Sequence, residues 1–485
     1  MTLDELMAAA PRSDGPVLVD RDHALTRDDL DAAVASAAAD LVDRGVGRGD
    51  RVAWQLPNCV DAVIWTRACW RIGAIAAPLH HLAGASEIEH HLAVLDPTAI
   101  LGPPPPKSSD SCRSGGIAAI SARRVAGEGG SPEDDLAVVL FTSGSTGSAK
   151  AVLHTHRALV YKSQLMCDVH TLGPTDAALV PSPIAHISGM LNAILVPGAA
   201  GMRVVLMEKW EPGRALDLIE EHQITFMIGP PTQFIGLMDH RAFTPERVAS
   251  MRVISTGAMG VSPSFVERAS DAFGAHVKRA YGSTEAPTVT TCHADDPPER
   301  SATSDGRAIG DAEVRIVDGE VWVRGPELFA GYADPAQTAE VMRDGWFRTG
   351  DLGVLDDGRW LRITGRVKDL IIRAGENIAP AEVEAVLELH PSVAQAVAVG
   401  YPDDTYGERV AAFVVLATTA EPAADAAGGS GVFDVAACRE WFAEQGVARF
   451  KTPERVIVLD ELPVLGIGKP DRARLRRLAA DLSTG

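Results

Sequence analysis

No apolar run in this chain reaches the roughly 18 residues that a membrane-spanning helix requires, and stretches such as Ala193 to Gly201 are short and broken by proline and glycine. Met1 to Pro11 carries Asp4 and Glu5 and lacks the basic start and apolar core of a signal peptide, which predicts a cytoplasmic protein. The cysteines (Cys59, Cys69, Cys112, Cys167, Cys292 and Cys438) show no CxxC spacing. That excludes a sequence-visible zinc or disulfide framework and predicts reduced thiols. Basic residues are also short: 45 Lys and Arg against 65 Asp and Glu leave a net charge of −20. Nucleic acids and anionic membranes recruit basic patches, so neither is an expected partner. What is present is ordinary globular composition, 46% hydrophobic and 23% charged over 485 residues, enough for a large α/β domain and a small one.

From Asp20 to Ile100, Ala-rich helical stretches alternate with short β-type runs, as in Asp29 to Asp43 followed by Arg51 to Leu56, which predicts α/β layering. Gly102 to Asp135 departs from this, opening on Pro103 to Pro106, and reads as an exposed connection. Leu136 to Phe141 has the apolar density of a strand buried on both faces of a parallel sheet. Further α/β units come from Arg214 to His222 with Thr225 to Ile228, and from Arg252 to Ser255 with Phe265 to Phe273. Hairpins follow: Val314 to Val317 and Val321 to Arg324 flank Asp318-Gly319, and Leu352 to Leu355 and Trp360 to Ile363 flank Asp357-Gly358, a dipeptide type that favours positive φ. After Lys368 a small α+β unit begins, with a helix from Pro380, strands Val393 to Val399 and Val410 to Leu416, a surface loop Ala420 to Gly431, a helix Asp434 to Glu444 and a strand Val456 to Leu459.

The strongest chemical signal is Phe141-Thr142-Ser143-Gly144-Ser145-Thr146-Gly147-Ser148-Ala149-Lys150, directly after the apolar strand. Such a loop can turn N–H groups and hydroxyls toward phosphate oxygens, with Lys150 adding positive charge. It is not a Walker A loop, because Lys150 follows Ala149 and precedes Ala151. On composition alone a hydrophilic turn is an equal reading. The loop resembles the phosphate-binding signature of the adenylate-forming superfamily, in its acyl-CoA synthetase branch. Four more motifs stand in that family's order: Tyr281-Gly282-Ser283-Thr284-Glu285; Trp346-Phe347-Arg348-Thr349-Gly350-Asp351; Gly365-Arg366-Val367-Lys368-Asp369 running into Gly375-Glu376-Asn377-Ile378; and Gly468-Lys469. The resemblance covers nearly the whole chain, and around His186, Trp210 and Pro230-Pro231 it is nearest to medium-chain or cyclohexanecarboxylate-type CoA ligases.

The resemblance implies a large N-terminal region of layered α/β subdomains with a β-rich part (1–366), a hinge at 367–369 centred on Lys368, and a small mobile α+β C-terminal domain (370–485). It implies ATP, Mg²⁺ and CoA as co-substrates and cofactor. Tyr281 would offer a face to the purine, and Gly257, Ala258 and Gly282 would also bind ATP or AMP. Thr142 to Gly147, Lys150 and Thr284 would take phosphates, and Glu285 would supply a hard oxygen for Mg²⁺. Asp351 would accept from the ribose hydroxyls and Arg366 donate to ribose or phosphate. Lys469 would touch the substrate carboxylate and the α-phosphate, acting with Thr146, Glu285 and His186 as catalytic residues. Read alone, Tyr281 to Glu285 is a helix-capping turn, Lys469 a solvated charge and His186 a packed side chain. His186, Met190, Phe234, Thr256, Gly257, Met259 and Gly282 would line the acyl pocket, and Arg373, Gly375 and Glu376 the pantetheine channel. Ile184 to Ser188 holds no Asp to pair with an α-ammonium, which favours an apolar acid without one. Ala149 and Ala151 depart from the family's usual Pro and Gly.

The expected reaction is adenylation of a carboxylic acid with release of pyrophosphate, then acyl transfer to CoA. An acyl-AMP ligase loading a carrier protein and a non-catalytic nucleotide-binding regulator are the alternative readings, and a homodimer stays open. His80-His81 and His90-His91 are read as exposed histidines rather than metal ligands, because adjacent side chains on a helix diverge.

Overall fold

A computed structural model describes residues 1–102, 135–142, 149–257, 261–417, 433–464 and 470–481. Nearly all of the Gly102 to Asp135 connection and the Ala420 to Gly431 loop lie outside the described residues, as do Ser143, Gly144, Ser145, Thr146, Gly147, Ala258, Met259 and Lys469. Backbone packing divides the chain into two compact units. The first is Met1–Gly257, Pro263–Val314 and Val323–Arg348; the second is Ala258–Ser262, Arg315–Trp322 and Thr349–Gly485. Among the described residues no helix is long and apolar enough to cross a membrane.

The first unit contains two large sheets. One runs, in spatial order, Arg307–Ala308, Thr290–Thr291, His276–Tyr281, Val253–Thr256, Phe226–Gly229, Ala177–Val180, Arg203–Leu206, Pro16–Val19 and Ala24–Thr26. From His276–Tyr281 to Pro16–Val19 every pairing is parallel. The other runs Gly331–Tyr332, Lys150–Thr155, Leu136–Thr142, Ile75–Leu79, Arg51–Gln55 and Ala99–Leu101. Its strands are joined to the first sheet by one apolar core that takes Trp54, Val138 and Leu140 from one sheet, Val180, Val204 and Phe226 from the other, and Val34, Leu41, Trp70 and Leu159 from helices Arg27–Asp43, Val60–Ile72 and His156–His170. The helix starts follow local chemistry: Thr26 caps the first with a reciprocal bond to Asp29, and the Thr155 side chain accepts from the Ala158 N–H at the start of the third.

The second unit centres on a sheet of Glu376–Ile378, Ile371–Arg373, Gly407–Leu416 and Val393–Asp403, with Arg455–Val458 beside Gly407–Leu416. Helix Pro380–Glu388 begins with proline at its first position, as expected, and Asp434 caps Val435–Glu444.

Three expectations need correction. Leu136–Thr142 is buried and parallel to Ile75–Leu79, but antiparallel to Lys150–Thr155, with Thr142 opposite Lys150. So short a connection cannot make a parallel crossover, which takes about a dozen residues or more. At Asp318-Gly319 both residues take positive φ, 50° and 82°, whereas in the next hairpin Arg359 (φ 60°) takes it instead of Asp357 or Gly358. That connection is longer than two residues, and Asp356 organises it by accepting the N–H of Trp360 on its side chain at 2.9 Å. Lastly, His91 is buried, its ring stacked on Phe141 at 4.1 Å, and His80 and His81 are half-buried; only His90 is exposed.

In the second unit the Arg472 guanidinium pairs with Glu384 at 2.7 Å and donates to the Ala398 carbonyl at 2.7 Å, both side chains being largely buried. Removing one partner strands the other, so Arg472→Ala should cost about 3–5 kcal/mol of that unit's stability, while Arg472→Met with Glu384→Leu should recover most of it. Urea unfolding of the three proteins checks this; an unchanged midpoint for Arg472→Ala would contradict it.

Candidate active site

The parallel strands of the first sheet share one direction, so their carboxyl ends lie along one edge. Pro181 to His186 follow Ala177–Val180; Pro230 and the helix Pro231–Met238 follow Phe226–Gly229; Gly257 follows Val253–Thr256; Gly282 to Glu285 follow His276–Tyr281. Such an edge is where open α/β sheets take ligands. Two glycines are required there by close approach. A Cβ on Gly282 would lie 2.3 Å from the Thr288 nitrogen, and one on Gly257 would lie 2.9 Å from the Ala280 oxygen.

Gly282 to Glu285 is a loop that follows directly on the strand ending at Tyr281, with no helix starting in it, so the capping reading fails. It is closed by the Ser283 N–H on the Ala286 carbonyl (3.0 Å) and the Ala286 N–H on Ser283 Oγ (3.2 Å). The strand Lys150–Thr155 holds it from one side, since His154 Nε2 lies 2.9 Å from the Thr284 carbonyl and must be the protonated ring nitrogen. Segment 329–332 holds Glu285 at two points. The Phe329 N–H donates to the Glu285 carbonyl at 2.9 Å, and the Tyr332 hydroxyl donates to Glu285 Oε1 at 2.7 Å. The ring of that tyrosine also carries Lys150, with Nζ 4.7 Å from its centroid. Lys150 and Glu285, assigned to phosphate and metal by resemblance, thus meet on one residue that the sequence reading did not single out. Burial, and next the Glu285 carboxylate, push the Tyr332 phenol up, so it stays a donor.

Behind this loop, Lys162 donates to the Thr288 carbonyl at 3.0 Å and faces Glu327 at 3.7 Å, both side chains fully buried. Burial brings Lys162 down to about 8, against the pull of Glu327, and pushes Glu327 up. Lys162 and Glu327 were not recognised either; a lysine and a glutamate so far apart in sequence carry no common local signal.

His186 stands just before the helix Ile187–Met190, its N–H on the Pro183 carbonyl at 2.9 Å. A Cβ on Gly189 would lie 1.9 Å from that same carbonyl oxygen, so glycine is what lets the segment close. The His186 ring lies 4.9 Å from His80, which stacks on His81 at 5.0 Å. Burial lowers the pKa of both His80 and His81. Met190 and Phe234 are fully buried, Phe234 between Phe265 (6.5 Å) and Phe273 (6.2 Å). Thr256 is also buried, with no hydrogen bond to its hydroxyl among the described residues.

In the second unit Asp351 and Arg366 are cross-strand partners, Arg366 Nε lying 2.8 Å from Asp351 Oδ1. Gly350 (φ 71°) turns its N–H to Glu320 at 3.0 Å, and the Asp351 N–H donates to Thr349 Oγ1 at 3.0 Å. Arg373 is engaged by Glu454 at 2.7 Å and by the Tyr406 ring at 4.4 Å. Ala374 and Gly375 form a positive-φ turn, and Glu376 is exposed. Lys368 lies in the short helical turn Val367–Asp369, whose Asp369 pairs with Arg476 at 3.0 Å. Among the described residues no cluster of three or more His, Cys, Asp and Glu forms a metal site, so Mg²⁺ would need oxygens from a nucleotide as well as from protein. Glu285 fits that demand: among the described residues no hydrogen bond reaches its Oε2.

The family model described as AMP-binding enzyme matches residues 7–333, and that described as AMP-binding enzyme C-terminal domain matches residues 382–469. A methyl-dioxo-octahydroindenyl propanoyl:CoA ligase of Mycobacterium tuberculosis is 34% identical over 98% of this chain and 98% of its own. The medium-chain fatty-acid–CoA ligase of Escherichia coli is 30% identical over 92% of this chain and 84% of its own. ATP-bound MatB from Rhodopseudomonas palustris superposes with a TM-score of 0.85 at 27% identity, over 99% of this chain and 100% of that one.

His154 is fully buried and uncharged, burial holding its pKa down to about 4 against an ordinary 6.5. As pH falls the unfolded chain takes up the proton first, so stability should drain between about pH 6.5 and 4, by roughly 2 kcal/mol at pH 5. His154→Gln keeps an N–H for the Thr284 carbonyl and cannot titrate; it should lose less stability on going from pH 7.5 to pH 5 by about that amount. Urea midpoints at the two pH values measure it, and equal acid losses in both proteins would refute the assignment.

Proposed function

The chain belongs to the AMP-binding enzyme family, and from that premise we propose that it is an AMP-forming acyl-CoA synthetase acting on an apolar carboxylic acid of medium-chain, alicyclic or aryl type, without an α-amino group. The observation that carries this is the meeting of Lys150 and Glu285 on Tyr332, which joins the hydroxyl loop's stem to the Tyr281 to Glu285 loop. Relatives that activate a fused-ring propanoate, a medium-chain fatty acid and ferulate support the acid class, as does the lack of Asp in 184–188.

A carboxylate resists thiols because its leaving group would be an oxide. In the proposed reaction the acid's oxygen attacks the α-phosphorus of ATP, pyrophosphate leaves, and the thiol of CoA then attacks the acyl carbon and releases AMP. Thr142, Lys150 and Thr284 would hold phosphates, Tyr281 the purine, and Asp351 and Arg366 the ribose. Glu285 would hold Mg²⁺, which supplies charge neutralisation on the phosphates. Lys469 would stabilise negative charge gathering at the α-phosphate during the first step. His186 would border the acyl carboxylate, Arg373 and Gly375 the thiol's path, and Lys368 the hinge about which residues 370–485 change pose between the two steps.

Pyrophosphate release with a panel of acids, with and without CoA, tests the proposal. Release with thioester formation is expected; release with no thioester would point to a carrier-protein acceptor, and no release with any acid to a regulator. Lys469→Ala should lose acid-dependent pyrophosphate release by about a hundredfold or more while keeping most thioester formation from supplied acyl-AMP, since the lysine serves only the first step. Equal loss of both would contradict its role.

A further inference from the structure

We propose that Tyr332 is a positioning residue that keeps Lys150 and Glu285 apart and oriented for the metal–nucleotide complex; this rests on the reading of Glu285 as the metal carboxylate. Lys150 and Glu285 carry opposite charges, so direct contact between them would be favourable. A direct pair would spend both groups before any nucleotide arrived. Tyr332 offers each a different surface. Its π face takes the lysine at 4.7 Å and its hydroxyl takes one carboxylate oxygen at 2.7 Å. The Tyr332 hydroxyl bonds Oε1 of Glu285, and among the described residues no hydrogen bond reaches Oε2.

The tyrosine is itself fixed by backbone. Strand Gly331–Tyr332 pairs antiparallel with Lys150–Thr155, Tyr332 lying opposite Val152, and its N–H donates to Thr338 Oγ1 at 2.8 Å. A side chain on Gly331 (φ 138°) would crowd Thr338, its Cβ falling 3.0 Å from Oγ1, so glycine is required beside the tyrosine. Phe329, in the same segment, takes the Glu285 carbonyl. Glu285 is therefore gripped at main chain and side chain by one short stretch, and that stretch is in register with the strand that starts at Lys150.

Tyr332→Phe keeps the ring and its face but removes the hydroxyl, so the lysine contact and the packing survive while the carboxylate is released. Calorimetric titration with Mg·ATP and with ATP in EDTA separates the two ligands. The variant should bind Mg·ATP about tenfold more weakly and metal-free ATP within about twofold of the parent, the loss of one charge-assisted hydrogen bond being felt only through the metal. The ratio of the two affinities is internal to each preparation, so a partly unfolded sample alters the stoichiometry and not the ratio. Glu285→Gln is the companion variant and should remove most of the gain that Mg²⁺ gives. If Glu285→Gln keeps that gain, the metal reading of Glu285 fails and the proposal with it. If Glu285→Gln loses it but Tyr332→Phe matches the parent, or weakens both ligands alike, the positioning role alone is overturned.

Discussion

Lys150 and Glu285 come from distant parts of the chain and carry opposite charges, and the fold engages both on one tyrosine, Lys150 over the ring face and Glu285 on the hydroxyl. Each is partly satisfied, by a cation–π contact and a hydrogen bond of about 1 kcal/mol apiece, and neither is consumed. On the proposed reading that balance matters, because a site for a polyanion with its counter-ion must present positive and negative groups at once. Left to Coulomb attraction alone, such groups neutralise one another. A tyrosine can keep them apart because its ring is stiff, its two ends differ chemically, and its phenol is held in the neutral, donating form by burial and by the carboxylate it serves.

The strand Lys150–Thr155 makes this arrangement reproducible. One side of it pairs with Leu136–Thr142 and the other with Gly331–Tyr332. Its first residue is the lysine, His154 reaches the Thr284 carbonyl, and Thr155 caps the helix that carries Lys162 to the Thr288 carbonyl. Side chains alternate faces along a strand, so a slip of one residue would turn Lys150 away from Tyr332 and His154 away from the Thr284 loop together. The buried alternatives such a slip would create, a lysine in the core or an unbonded carbonyl beneath the loop, are costly enough to enforce the register.

Much of this architecture is legible in sequence wherever residue type fixes local geometry. The glycines of Tyr281 to Glu285 and of His186 to Met190 announce close approaches, and the structure has backbone atoms where their side chains would be. Asp318-Gly319 announces its turn; Asp357-Gly358 misleads, because the length of a connection and the side chain of Asp356 decide which residue takes positive φ. His91 carried a signal that adjacency to His90 obscured. It shares the helical spacing of Ile88, Leu92 and Leu95, and that face packs inward on helix Ala85–Leu95. Tyr332, His154 and the Lys162–Glu327 pair had no such mark. Each is a single residue whose meaning depends on which strand lies beside it, and pairing across more than a hundred residues is set by the whole core.

The two ends of the site are built on different principles. Around Tyr281 to Glu285, main-chain hydrogen bonds and glycine contacts set the geometry together with the side chains of His154, Ser283 and Tyr332. Around His186 the work falls to side-chain amides at the end of strand Arg51–Gln55 and on the turn after it. Gln55 donates to the carbonyls of His80, His81 and Ala83 at 3.1, 3.3 and 3.1 Å. Asn58 donates to the Ser182 carbonyl at 2.8 Å and accepts the Ile184 N–H at 2.9 Å. Both loops are thereby anchored to one short stretch, which brings His80 against His186, and burial disfavours the charged forms of His80 and His81. On the proposed reading this is the acid's end of the site, and a wall that disfavours charge suits a substrate whose only charge is consumed in the reaction. On that reading, changed side chains here would alter the preferred acid without touching the Tyr281 to Glu285 loop.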